Sequence, residues 1–359
     1  MNYRLKELDF LRGIAIILVL LRHVHLFDFT TKMGWIGVDL FFVLSGFLVS
    51  SLLFKEYIKF GNIKPKLFLI RRGFKIYPIY YIFYLPYLTI ILYQGKFNFL
   101  GFMTDITFTQ NYLWGWGYAF PASWSLAVEE HFYFGLSFFL WLLLRFKPNF
   151  IHTRRFVIVI ICILILCFIQ RLVANTFFST HSSRLFTLTQ FRIDSLLCGV
   201  LISFFFHFKH DQLKFYFEKN RIILLTISIF ALSWTPFIDP IPSFFVKTTG
   251  FSLLYISFAI LLLSFLLIDN MVVRLNNVFT KPMVDLISKI GFSSYSIYII
   301  HTLILFISPR FLSKLHIIQN KYSLFFVEVT VSIIAGMVMS YTVEKYFLKM
   351  RDNFFPSRA

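Results

Sequence analysis

The chain has 359 residues, of which 58% are hydrophobic and only 14% charged, and its mean hydropathy is +0.74. A water-soluble domain of this size has nowhere to hide so much apolar surface, so the composition excludes a soluble globular protein and points to a polytopic membrane protein. The formal net charge of +18 would suggest nucleic acid on a soluble fold. Here basic residues in cytoplasmic loops account for it, and no nucleic-acid partner is expected.

Ten apolar segments reach the roughly 20 residues that cross a bilayer. They fall near 10–27, 35–54, 74–94, 123–144, 156–173, 187–206, 221–238, 246–268, 284–308 and 323–344. The expected fold class is all-α, a single transmembrane domain over 1–359 with no appended soluble domain. The first segment, DFLRGIAIILVLLRHVH, carries Arg12, Arg22, His23 and His25 in an otherwise apolar run. It reads as a membrane helix rather than a signal peptide, because Arg12 interrupts the apolar region and no small-residue cleavage site follows. Arg22 is expected to snorkel to the outer interface or to pair with a carboxylate, and His25 to be a polar cap. The second segment offers Asp39 and Ser45 in GVDLFFVLSGF, and the third opens with Arg71, Arg72 and Lys75 in RRGFKIYP.

A long aromatic connection, 95–122, either covers a site or forms an exposed cap. The fourth segment begins SWSLAVEEHFYF, with Trp124, Glu129, Glu130 and His131. Its two glutamates stand about 100° apart on a helix, so they do not both face one cavity. The sixth holds Arg192 and Asp194 in FRIDSLLCG, either an ion pair or part of a site. The ninth holds Tyr298 and His301 in GFSSYSIYIIH, with His301 either a core histidine or a site residue. The cysteines, Cys162, Cys167 and Cys198, lie inside apolar runs and read as small packing residues rather than metal ligands, and no metal is expected.

Basic residues crowd the connections that face inward if the N-terminus is cytoplasmic: Lys55, Lys59, Lys64, Lys66, Arg71 and Arg72 in one, Lys209, Lys214 and Lys219 in another, and Lys345, Lys349, Arg351 and Arg358 in the tail. The opposite connections are sparse, with Lys32, Lys96, Arg184 and Lys247 one apiece; 309–322 is the exception. This asymmetry predicts both termini in the cytoplasm.

Ionisable groups inside spans cost about 2.5–3.5 kcal/mol each at mid-membrane on insertion scales, so they face cavities or partners. With this topology Arg12, Arg71, Arg72, Lys75 and Glu344 occupy an inner layer, and excess cations there suggest an anion such as a phosphate. Arg12 and His23, eleven residues or about 16 Å apart, share a helix face. His23 falls in an outer layer with Asp39, Ser45, Glu129, Glu130, Arg192, Asp194 and His301.

In order along the chain, LDFLRGIAIILVLLRH, GWIGVDLFFVLSGFL, RRGFKIYPIYY, WSLAVEEHFYF, FRIDSLLCG, GFSSYSIYIIH and YTVEKYF resemble the motifs of the acyltransferase 3 family of integral membrane acyltransferases. Lys75 stands where that family usually has arginine, keeping the charge but losing the bidentate fork. The resemblance implies a cytoplasmic acyl-CoA donor, usually acetyl-CoA. It implies as acceptor a carbohydrate hydroxyl of O-antigen, exopolysaccharide or peptidoglycan, handled at the outer face of a bacterial inner membrane. It places Arg12 and His23 in the essential pair and Arg72 and Lys75, beside Arg71, at the donor. On this reading His23 is the general base, and Glu130 or Glu129 orients the imidazole. Asp39, Ser45, Trp124, Arg192, Asp194, Tyr298 and His301 meet the acceptor. An acyl-histidine intermediate is the two-step variant. The rival from another class is a proton-coupled transporter or a flippase for a lipid-linked sugar, against which stands the absence of two matching halves.

Overall fold

Inside lipid a backbone must satisfy its own hydrogen bonds, so apolar runs fold as helices. The computed structural model describes residues 5–177, 184–314 and 320–358, and among them the secondary structure is helical. The segment 1–9 and the connection 309–322 lie partly outside the described residues. The principal helices are α1 (Lys6–His23), α2 (Ile36–Phe60), α3 (Pro65–Tyr93), α4 (Trp124–Phe146), α5 (Arg154–Phe177), α6 (Ile193–Phe208), α7 (His210–Leu232), α8 (Phe251–Leu267), α9 (Ser294–Lys314) and α10 (Lys321–Met339).

Each of the ten apolar segments maps onto one of these helices, with three differences. Seven helices are long and apolar enough to cross a membrane, and α6 with α7, which meet at 112°, make an eighth. The first helix fails that test because it carries Lys6, Glu7, Asp9, Arg12 and Arg22, yet Leu11, Ala15 and Ile16 on it are fully buried. The ninth segment is broken: a helix over Lys281–Phe292 ends at Ser293 before α9 begins. Lys247, expected in an exposed connection, is fully buried, because a π-helical turn over Val246–Gly250 carries helix backward from α8 and takes its side chain inside. Of the cysteines, Cys167 and Cys198 are buried as expected, whereas Cys162 is exposed on the apolar outer face of α5.

Boundaries follow local chemistry. The second helix stops at Gly61, whose φ of +67° favours glycine, and α3 starts with Pro65 in its first turn. Asn320 caps α10 in a capping box with Ser323. Packing depends on small residues. A Cβ added at Gly46 would stand 2.0 Å from the Leu196 carbonyl oxygen, and one at Gly199 2.3 Å from that of Val43. Backbone contact of this kind joins α2 to α6, the most extensive pairing in the bundle. Glycines 13 and 291 do the same where α1 crosses Lys281–Phe292.

After α10 a π turn, Ser340–Glu344, leads into a helix over Lys345–Phe354. Its end docks on the start of α3: Arg71 donates to Asp352 at 2.9 Å and to the Phe355 carbonyl, and Arg358 pairs with Glu56 at 2.7 Å. The connection 95–122 is ordered rather than a loose cap. It forms helices over Phe99–Ile106 and Gln110–Leu113 and is pinned by buried Asp105, which accepts the Tyr118 and Ala119 amides at 3.1 and 2.8 Å. Asn111 ties it to Thr187 and Thr189.

Candidate active site

Two cavities lie in series within the bundle. The first, of about 100 Å³, is lined by Arg12 from α1, Ser45 from α2, Arg72 and Lys75 from α3, Glu129 and Tyr133 from α4, and Tyr295 from α9. Three cations and one carboxylate give it a cationic character. The second, of about 460 Å³, is lined by Arg22 and His23, the aromatic side chains of Trp35, Trp116, Trp124, Phe186 and Tyr298, Arg192 and Thr302. The two share Val38 and Tyr298 as a common wall. Arg12 and His23 thus sit on one helix but in different chambers.

In the cationic cavity the polar groups form chains. Tyr133 donates to Glu129 Oε2 at 2.9 Å. A phenol has one proton, so the Ser45 hydroxyl, 2.8 Å from Tyr133, must donate to it. The Arg72 guanidinium lies over the Tyr133 and Phe68 rings at 5.5 and 5.8 Å, and Glu129 lies in the field of Arg72 and Arg12. Arg71 points away, to the tail, and does not line the cavity. Glu130 accepts from Tyr77 at 2.8 Å, and its other oxygen is buried without a hydrogen-bond partner among the described residues.

The two glutamates, expected to orient His23, are therefore engaged with tyrosines, and the ring facing His23 is another histidine. The His23 and His301 centroids are 5.0 Å apart, edge to face. His23 Nδ1 is 2.9 Å from the Val19 carbonyl oxygen and His301 Nδ1 is 2.6 Å from that of Tyr298. A carbonyl only accepts, so each Nδ1 carries the proton and each neutral ring keeps its lone pair on Nε2. His301 Nε2 is buried with no partner among the described residues, while His23 shows surface to the aromatic cavity.

Arg22 borders the aromatic cavity and donates to the Thr31 carbonyl at 3.0 Å, and Thr31 also holds His25 at 3.2 Å. His131 is drawn to Thr189 at 2.7 Å, away from both cavities. Arg192 and Asp194 do not pair with each other. Arg192 donates to Asp39 at 2.8 Å, with its guanidinium 3.9 Å from the Phe251 ring and 5.6 Å from Trp124. Asp194 pairs with Arg171, which also reaches the Phe191 carbonyl at 2.9 Å and Ser252 at 3.0 Å. All four charged groups are buried. Asp39 and Asp194 therefore build the wall, and Arg192, Trp124 and Tyr298 form the cavity surface.

Arg171, Trp35, Trp116, Phe186, Tyr77 and Tyr133 were not singled out from the sequence. A cation deep inside α5, the most apolar span, whose other two arginines stand at its very start, is a signal for Arg171. No spacing rule marks the aromatics, which come from five separate parts of the chain.

A helical membrane bundle with a cationic chamber leading to an aromatic, histidine-bearing one defines the class. The chain belongs to the acyltransferase 3 family: the family model, described as an acyltransferase domain, matches residues 5–344. It is 29% identical over 368 residues to a Staphylococcus aureus (strain COL) protein named "Putative O-acetyltransferase", covering 95% of this chain and 57% of that one. It is likewise 29% identical over 316 residues to O-acetyltransferase OatA of strain NCTC 8325, covering 83% of this chain and 50% of that protein. The chain thus spans about half the length of the curated relatives it matches. No solved structure matches it.

Proposed function

We propose that this chain is a membrane O-acyltransferase that moves an acyl group, acetyl in the simplest case, from cytoplasmic acyl-CoA to a carbohydrate hydroxyl across a bacterial plasma membrane. The observation that carries this reading is the serial arrangement of a cationic cavity and an aromatic, histidine-bearing one. Arg12, Arg72 and Lys75 suit the phosphates of CoA. The aromatic walls suit the apolar faces of a sugar, and the relatives' names point to O-acetyl transfer.

In this reading the two termini and the cationic cavity face the cytoplasm, as the distribution of basic residues supports. His23, with its proton fixed on Nδ1 by Val19, accepts the acceptor's hydroxyl proton at Nε2. The hydroxyl oxygen attacks the thioester carbonyl, the C–S bond breaks, and the proton passes to the departing thiolate. His301 packs edge to face against the His23 ring and holds it in place. Glu129 and Glu130 set the field of the donor chamber and do not orient His23.

The test is acetyl-CoA turnover by purified protein in nanodiscs, wild type beside His23→Ala. Loss of about 10²–10⁴-fold in turnover, the range for a general base, with retained acetyl-CoA binding is the expected result. If neither protein binds acetyl-CoA, the donor assignment fails and transport of a lipid-linked sugar becomes the reading to test. A burst of CoA release without acceptor would select the acyl-histidine route over direct transfer.

A further inference from the structure

The two cavities meet at one place. Only Val38 and Tyr298 among the described residues line both. The Tyr298 ring is nearly buried, and its hydroxyl is held twice. It donates to the Ala122 carbonyl at 2.9 Å and so accepts from the Ser125 hydroxyl at 2.7 Å. Ala122 borders the aromatic cavity and Ser125 the cationic one, so this latch straddles the wall. The backbone carbonyl of Tyr298 is also the acceptor that fixes Nδ1–H of His301, whose ring faces His23.

These facts conflict with a static route for acyl transfer. Any donor held by Arg12, Arg72 and Lys75 is on one side of the phenol, and His23 is on the other. We propose that Tyr298, latched by Ser125 and Ala122, is the partition of the transfer path: its ring closes the passage between the two cavities and must swing aside for the reactive end of a donor to reach His23. Swinging the ring breaks the two latch bonds and acts on the residue whose carbonyl positions His301, so passage and the histidine pair are coupled through one side chain. Tyr298 is a positioning residue in this scheme. The inference depends on the acyl-transfer reading for its purpose, but the partition itself is a statement about passage and is tested without catalysis.

Ser45→Cys places a reporter in the cationic cavity and Ile241→Cys a control in the aromatic one. Each is reconstituted in oriented vesicles and exposed to a membrane-impermeant charged thiosulfonate from the side on which the aromatic cavity opens, with labelling read by peptide mass spectrometry. With Tyr298 intact, position 241 labels and position 45 is protected. Tyr298→Ala is expected to raise labelling at position 45 by at least about tenfold, the population change that loss of two hydrogen bonds allows, with no change at position 241. Ser125→Ala, which keeps the ring and removes one latch bond, should give a smaller rise and serves if Tyr298→Ala does not fold. Equal labelling at position 45 in the parent and in both variants overturns the partition. If labelling rises as expected but acetyl-CoA neither binds to nor is turned over by the wild-type protein, the partition stands and the acyl-transfer reading falls.

Discussion

The Asp39–Arg192 pair sets a quantitative test of how the aromatic chamber is held. Asp39 Oδ1 and Arg192 Nη2 are 2.8 Å apart, and the side chains are 0% and 1% exposed. At that distance and an effective dielectric of about 20 the attraction is roughly 6 kcal/mol, before the desolvation of both ions is subtracted. No other carboxylate stands ready among the described residues, because Asp194 is bound by Arg171. Asp39→Leu therefore leaves a guanidinium with a full charge among Phe42, Trp124, Phe186 and Phe251. Removing one member of such a buried pair costs about 3–5 kcal/mol, whereas replacing both with apolar groups of similar volume is close to neutral. The prediction is a cycle in which Asp39→Leu and Arg192→Met each lower stability in nanodiscs. The Asp39→Leu/Arg192→Met double variant should recover most of the loss, with a coupling energy of about 2–4 kcal/mol. If the single effects add to within about 0.5 kcal/mol, the ion pair does not hold the wall and the argument from its burial is wrong.

Gly199→Leu is expected to abolish folding or to separate α2 from α6, since even a Cβ there would meet the Val43 carbonyl oxygen at 2.3 Å; thermal midpoint and detergent-resistant yield check it. Burial pushes the Asp105 carboxyl up to about 6, against the pull of the Ala119 and Tyr118 amides. Because its folded value lies above the unfolded 3.8, the 95–122 connection is most stable below about 4 and loses about 3 kcal/mol as pH rises to about 6. The protection factors of the Tyr118 and Ala119 amides, exchange rates corrected for the intrinsic pH dependence, should fall over that range in wild type and stay flat in Asp105→Asn. Arg72→Ala is expected to raise KM for acetyl-CoA by at least about tenfold, the scale of a charge-assisted contact, while Arg71→Ala leaves KM near wild type and frees the tail to protease.

What the sequence conveys about a membrane bundle divides along two coordinates. Depth is legible: a helix rises 1.5 Å per residue, and the bias of basic residues sets its direction, so Arg12, Arg72 and Lys75 could be assigned one layer and His23 and His301 another. Azimuth is not. Which helices are neighbours depends on backbone contacts such as Gly46 with Leu196 and Gly291 with Asp9, and no local pattern names the partner of a glycine. Hence Asp194 was grouped with Arg192, although Arg171 on α5 holds it, and Glu130 was aimed at His23, although Tyr77 on α3 takes it. Depth also fails at finer grain where two cavities abut. Asp39, Ser45, Glu129 and His301 were read as a single layer, but Tyr298 divides them, and Ser45 and Glu129 belong to the cationic side. A partition one side chain thick is thinner than the uncertainty in where a helix enters lipid. It becomes visible only when the ring, its two latch bonds and both cavity walls are placed together.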